Sequence, residues 1–348
     1  MKLPTYYVGI DIASTSFTSS IGQLSGGKWK ITSKAKKFDN VYDSFPQFLS
    51  WLGEAGATRE NAILTMESTG VYGEVLAHFL VANGYTVSVE PPLKVKRAFH
   101  PNVGKSDPVD SAQIAEYAFR FYDQLSIWAP RAEILEQIKV LLATREQFVR
   151  DSTGHKNALK ALHRKVLRIP LAEDSHLKAI SELNVHIKAL EEEIERLLGQ
   201  DPDLGALSGL LLTIPGVGLM LAAHMLVLFA SAPQPYSFKQ LAAYIGICPY
   251  EDSSGSSRHN PSTSRHYGPP GLRKLLFLAA LSLRTHRKPF RVYFERKTSS
   301  GKGKRLVINN IANKLLKIMC AVVRTRTPYI EGYRSIHPTL LSRALTMS

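Results

Sequence analysis

The chain is poor in cysteine, with Cys248 and Cys320 its only two in 348 residues. They form no CxxC pair and no cluster with the histidines, which argues against a disulfide framework or structural zinc and fits a reducing cytoplasm. The opening "MKLPTYYVGIDIAST" has one lysine and an apolar run cut short by Asp11, so it does not read as a signal peptide. An unbroken membrane-length segment is also lacking. Leu204 to Phe238 contains no Asp, Glu, Lys or Arg, but Pro215, Gly216 and Gly218 split the run and Pro233 ends its second half. Each piece falls short of the about 20 apolar residues a span needs. Buried helices around a tight turn are expected instead, with no membrane partner. A phosphate loop is missing too, since "GKGK" has neither the GxxxxGK[ST] frame nor a strand before it.

Acidic side chains are scarce in one region. Residues 255–348 hold 19 Lys/Arg against 2 Asp/Glu, while the 254 residues before them hold 25 against 27. The net charge of +15 therefore lies entirely in the tail. A basic block running through apolar helical sequence is an electrostatic footprint for nucleic acid. Arg258, Arg265, Arg273, Lys274, Lys302, Lys304 and Arg305 are the candidate contacts. Hydrophobic content of 44% and charged content of 21% describe a globular protein, long enough for two or three domains.

Residues 1–125 alternate strand and helix signals. "YYVGIDIA", "NAILTMEST" and "YTVSVEPP" read as buried strands and "KWKITSKAKKF" as a partner strand. "DSFPQFLSWLGEAG", "YGEVLAHFLVANG" and "SDPVDSAQIAEYAFRFY" read as helices, the last with Pro108 in its first turn. This predicts an α/β domain with helices on both sides of a sheet. Residues 126–203 change character. Ile134, Leu135, Ile138, Leu141 and Leu142 open one long amphipathic helix, and Leu183, Ile187, Leu190, Ile194 and Leu197 step as a heptad seam, with "RIPLAEDS" as the bend between. A helical hairpin or coiled-coil spacer follows, fit for oligomerisation, whose His155, His163, His176 and His186 read as surface or seam residues. Residues 204–348 form a mainly α-helical C-terminal domain. In it "IPGVG" resembles a helix-hairpin-helix turn, in which Gly216 and Gly218 would let backbone N–H groups approach a phosphate. The same sequence suits a plain interhelical turn.

Four acids stand at informative places. Asp11 lies inside a buried strand, Glu67 ends another, and Asp107 and Asp110 share the first turn of a helix. A carboxylate in a buried strand is costly unless it binds something. Strand-end and helix-start carboxylates make an oxygen-only site suited to Mg²⁺ or Mn²⁺, and two such ions can clamp a phosphodiester. A helix cap or stray salt bridge would explain any one acid singly. "GIDIASTS" also suits actin-like ATPases, but the DxG motif and glycine pair they need are missing. In "EDSSGSSRHN" composition favours a linker, whereas a reactive serine would need a base or metal-bound hydroxide to take its proton. A tyrosine nucleophile (Tyr244, Tyr250 or Tyr267) lacks an Arg/His frame.

"GIDIAST", "MESTGVY" and "SDPVDSAQIAEY", then a helical spacer, "IPGVG", "YIGICPYEDSSGSS" and a basic tail, together resemble the Asp-Glu-Asp-Asp transposases of the insertion-sequence one-ten family, related to pilin-gene-inverting recombinases. The resemblance spans nearly the whole chain. It implies a RuvC-like N-terminal domain with an RNase H fold, whose metal-binding tetrad maps onto Asp11, Glu67, Asp107 and Asp110. It implies that Ser254, or Ser253 beside it, attacks DNA and forms a covalent phosphoserine. Donor and target double-stranded DNA, a structured noncoding guide RNA and a homo-oligomer of dimers forming a tetrameric synapse are the implied partners, at the nucleoid of a prokaryotic cytoplasm. Pro108 stands where the family often has Thr. The enzymatic alternative is a RuvC-like nuclease or Holliday-junction resolvase in which metal-activated water cuts.

Overall fold

The computed structural model describes residues 3–68, 70–99, 107–130, 132–232, 236–254, 258–264 and 268–332, with backbone alone for those of 249–267. Internal contacts divide the chain into units 1–130 and 131–348.

The first unit runs β1 (Tyr6–Ile12), β2 (Ser16–Ser25), β3 (Lys28–Ile31), β4 (Lys36–Asp39), α1 (Phe45–Glu54), β5 (Ala62–Glu67), α2 (Glu74–Ala82), β6 (Thr86–Glu90), α3 (Pro92–Arg97) and α4 (Asp107–Arg120). The six-stranded sheet has the order β3-β2-β1-β5-β6, with β4 also on β2. β1 is antiparallel to β2 and parallel to β5, and β5 is parallel to β6. This mixed α/β topology is compatible with an RNase H-like fold. Alternation along the strands assigns the two faces. Val8, Ile10, Leu64 and Met66 pack with Phe45, Phe48 and Leu52 of α1 and Leu76 and Leu80 of α2. Tyr7 and Ile63 point the other way, onto Ala118 and Phe119 of α4. Helices thus cover both faces, as expected.

Two strand expectations need correction. "KWKITSKAKKF" is not one strand but two short ones, β3 and β4, each paired with β2. β2 itself escaped the sequence reading because "SFTSSIGQLS" looks polar. Its Thr18, Ser19 and Ser20 are nevertheless buried. The two serine hydroxyls are satisfied inside: Ser19 Oγ donates to the Gly9 carbonyl at 3.1 Å, and Ser20 Oγ meets Ser111 Oγ at 2.8 Å.

The second unit runs α5 (Glu133–Leu162), α6 (Pro170–Gln200), α7 (Pro202–Leu212), α8 (Leu219–Ser231), α9 (Phe238–Ile245), β7 (Pro249–Ser254), β8 (Arg258–Ser264), α10 (Pro270–His286), α11 (Lys288–Ser299) and α12 (Lys304–Thr325). α5 and α6 form a hairpin bridged by Arg145–Glu191 and His155–His176. At its base Ile138, Leu142, Ile194, Leu197 and Leu198 enter one core with Leu226 of α8, Leu276 of α10 and Leu315 of α12. That end of the hairpin is therefore part of the helical unit. The uncharged run becomes α7 and α8 around a turn, burying Leu211, Leu221, Met225 and Phe229. Among the described residues one helix, α12, is long and apolar enough to cross a membrane, yet its Val307, Ile311, Leu315 and Met319 are buried in this core. α11 and the β7–β8 hairpin were not foreseen.

Candidate active site and nucleic-acid surface

β1 and β5 lie in parallel register, with Ile10 opposite Met66, so the next residues, Asp11 and Glu67, stand side by side where the strands end. By alternation both belong to the α4 face. α4 crosses β1 at Gly9, where a Cβ would lie 2.0 Å from the Ser111 carbonyl and 2.4 Å from the Ala115 nitrogen. Further along, Phe119 meets Tyr7 edge-on at 5.4 Å. The helix therefore runs antiparallel to β1, and its first turn, with Asp107 and Asp110, lies toward the Asp11 end. Asp107 is exposed, while Asp11, Glu67 and Asp110 are half-buried. Four carboxylates thus gather at one end of the sheet, drawn from two strands and one helix start. Among the described residues, however, no three His, Cys, Asp or Glu side chains come together as a metal cluster. The all-oxygen donor set of the four acids suits a hard divalent ion.

A fifth carboxylate at this end was missed. Glu90, in register with Glu67 on β6, is fully buried. It accepts from the Ser126 backbone N–H at 2.6 Å and Ser88 Oγ at 3.1 Å, and pairs with Lys94 Nζ at 2.8 Å. Burial works against the Lys94 charge, but Glu90 and Tyr117 outweigh it and raise its pKa above the usual lysine value. Burial likewise raises Tyr117. With every donor local, Glu90 ties β6 to α3 and to the segment after α4, a structural part. Glu and Lys four apart, across the Pro-Pro that starts α3, were the signal available in the sequence.

The serine stretch is neither linker nor loop throughout. Ser254 is the last residue of β7 and pairs with Arg258 of β8, next to Ser253↔His259 and Asp252↔Asn260, with a bulge between Tyr250 and Asp252. The serine stands at the last described pair of the hairpin. Residues 255–257 and Arg265 lie outside the described residues. The root of the hairpin is clamped. α9 ends at Gly246, whose φ of 82° needs glycine. Asn309 and Asn313 of α12 both donate through Nδ2 to the Ile247 carbonyl, at 2.7 and 2.6 Å. Arg273 of α10 donates to the Ile245 carbonyl at 2.7 Å. At the other root, a Cβ on Gly268 would sit 2.3 Å from the Tyr244 carbonyl. Arg273, expected on a phosphate, is thus half-buried and committed to the backbone. The two asparagines, four apart in "NNIANK", were overlooked.

The other candidate cations differ in setting. Lys274 is exposed on α10 and Lys302 is exposed before α12. Lys304 and Arg305 form the exposed first turn of α12, where the helix dipole disfavours positive charge, so they do nothing for the helix itself. Gly216 has φ of 80°, and a Cβ there would meet Leu283 Cγ at 3.2 Å and the Ala279 carbonyl at 3.3 Å. Turn geometry and close helix packing account for it. Gly218 opens α8 without a side-chain cap. Beside it is a cavity of about 450 Å³ lined by Glu191, Leu219, Met220, Leu275 and Leu278. The wall is mainly apolar, with Ser282 and the Arg145-paired Glu191 as its polar side chains, and the packing of Gly216 against α10 fits a plain interhelical turn.

Two family models match in chain order. One, described as a transposase of the DEDD IS110 group, covers residues 8–167, and the other, described as the IS116/IS110/IS902 transposase family, covers 208–295. The chain belongs to the IS110 family of transposases. This transposase is 29% identical over 327 residues to a pilin gene-inverting protein of Moraxella lacunata, covering 93% of this chain and 97% of the relative. It is 24% identical over 301 residues to the transposase of insertion sequence IS1328 of Yersinia enterocolitica, covering 78% and 82%. An IS110 protein of Streptomyces coelicolor matches at 31% over 142 residues, 41% of this chain and 34% of that one. The first family model contains most of β1, all of β5 and α4, and all four acids; the second contains the turn and the serine hairpin. As a transposase the chain is a DNA-cleaving and rejoining enzyme.

Proposed function

We propose that this transposase exchanges DNA strands through Ser254, with Asp11, Glu67, Asp107 and Asp110 holding Mg²⁺ or Mn²⁺. The observation that carries the reading is the collection of four acids from β1, β5 and the start of α4 at one end of the sheet. When bound, such ions would neutralise charge on the phosphodiester and lower the pKa of oxygen ligands. In the serine step the Ser254 Oγ–H bond loses its proton, an Oγ–P bond forms and the P–O3′ bond breaks, releasing a 3′-hydroxyl. In rejoining, a 3′-hydroxyl of another strand attacks the phosphoserine and Ser254 leaves with a proton. The number of phosphodiesters is unchanged, so no outside energy is needed.

The basic unit around Lys274, Lys302, Lys304 and Arg305 would hold the DNA backbone without reading bases. Sequence choice then falls to pairing with a structured guide RNA, and the α5–α6 hairpin would join subunits into dimers and a tetrameric synapse. Nucleic acid copurified with the chain and sequenced would identify that guide and its DNA targets. Ser254→Ala removes one oxygen, so folding should persist while the covalent protein–DNA species on a denaturing gel disappears. Ser253→Ala should keep the adduct, and Asp11→Ala should lose it while DNA binding remains. If Ser253→Ala alone loses the adduct, the neighbouring serine is the nucleophile. If every serine variant cuts normally without an adduct, water attacks and the chain works as a resolvase-like nuclease.

A further inference from the structure

Histidines 155 and 176 have no part in the chemistry above. The antiparallel run of α5 and α6 brings them together with Nδ1 atoms 2.8 Å apart and ring centroids at 5.1 Å. At that separation one Nδ1–H donates a hydrogen bond to the Nδ1 lone pair of the other ring, so the two Nδ1 atoms already face each other across the hairpin. We propose that His155 and His176 form a two-histidine site for a borderline transition-metal ion such as Zn²⁺ or Cu²⁺, which clamps the α5–α6 hairpin. The metal–nitrogen distance is about 2.0–2.1 Å, so two nitrogens on a tetrahedral ion stand about 3.3 Å apart. The rings need to part by only about half an ångström, within reach of small χ rotations. With both imidazoles neutral, the shared proton moves to the outer nitrogen of its own ring, and binding needs no net proton loss.

The surroundings suit an open site. Both rings are half-buried, leaving room for water ligands. One turn before His155 on the same helix, Ser152 is only 2% exposed, and its hydroxyl has no hydrogen-bond partner. A metal-bound water one turn away would supply one. Glu173, one turn before His176, is held by Arg168 at 2.5 and 2.6 Å and lies 3.4 Å from His163, so it is committed elsewhere. The two nitrogens select against Mg²⁺, which takes oxygen ligands, and the order of affinity should be Cu²⁺ above Ni²⁺ and Zn²⁺.

The test is calorimetric titration of the chelator-stripped full chain with ZnCl₂ in excess Mg²⁺, which keeps the hard acidic site occupied. Wild type and Asp11→Asn should take up one equivalent of Zn²⁺ that His155→Gln and His176→Gln each lack. At free Zn²⁺ about 100 times Kd, the folded-to-unfolded ratio of the helical unit should rise about 100-fold in wild type and not in either variant. Equal uptake by wild type and both histidine variants, or uptake lost only in Asp11→Asn, overturns the proposal. Because both rings are half-exposed, at least one variant should fold, and that one suffices for the comparison.

Discussion

Gly9→Ala tests whether the crossing of α4 over β1 sets the acidic site. The new methyl carbon would lie 2.0 Å from the Ser111 carbonyl oxygen and 2.4 Å from the Ala115 nitrogen, both backbone atoms that no rotamer change can move. α4 has to retreat by more than 1 Å to relieve the overlap, an overpacking cost of about 1–3 kcal/mol. The retreat also breaks the 2.8 Å contact between the buried hydroxyls of Ser20 and Ser111, worth about 1–3 kcal/mol where a partner is lost. A total of roughly 2–6 kcal/mol is a substantial share of the 5–15 kcal/mol typical of a domain. All three tryptophans, Trp29, Trp51 and Trp128, lie in the first unit, so tryptophan emission during urea unfolding reports on it alone. Gly154→Ala is the control, because a Cβ there meets nothing within 4 Å in the middle of α5. It should leave the tryptophan transition in place and stabilise the helical unit, followed by circular dichroism, by up to about 1 kcal/mol. A Gly9→Ala transition within about 1 kcal/mol of wild type would refute the close crossing, and with it the direction of the first turn of α4 toward the Asp11 end of β1.

Burial, helped by the Arg145 charge, lowers the pKa of His224 from 6.5 to about 4. As pH falls through 6.5 the unfolded chain takes this proton first, so the helical unit should lose roughly 2 kcal/mol by pH 5, and His224→Leu should flatten that slope in denaturant melts. Asn309→Ala or Asn313→Ala alone should cost under about 1 kcal/mol, since the other amide still serves the Ile247 carbonyl. The double variant should cost more than the sum, and strict additivity would contradict the shared acceptor. Lys274→Gln should weaken binding to unrelated duplexes evenly and reduce the salt slope by about 1, whereas Arg273→Gln should mainly lower stability. An Arg273→Gln protein as stable as wild type would show that its bond to Ile245 counts for little.

Local patterns alone marked much of this protein. Ile-Asp-Ile in a buried run and Asp-x-x-Asp at a helix start located the four acids, because a carboxylate in an apolar strand is physically costly unless it binds something. Pro215, Gly216 and Gly218 located the turn in the uncharged run, because proline and glycine break helices wherever they stand. The charge imbalance of the last 94 residues was open to simple counting. Tertiary structure decided the rest. β2 was hidden because its buried serines and threonines look like a loop until Gly9 and Ser111 accept them. The serine stretch became a hairpin end through pairing with residues whose composition is equally loop-like. Arg273 and Lys274 are adjacent and alike in sequence, yet one holds the backbone carbonyl of Ile245 and the other faces solvent. Glu90, Asn309 and Asn313 became structural only where the fold brought a lone carbonyl or a lysine to them. Periodicity and charge are properties of neighbours along the chain, whereas the partner of a polar group is chosen by distance in space.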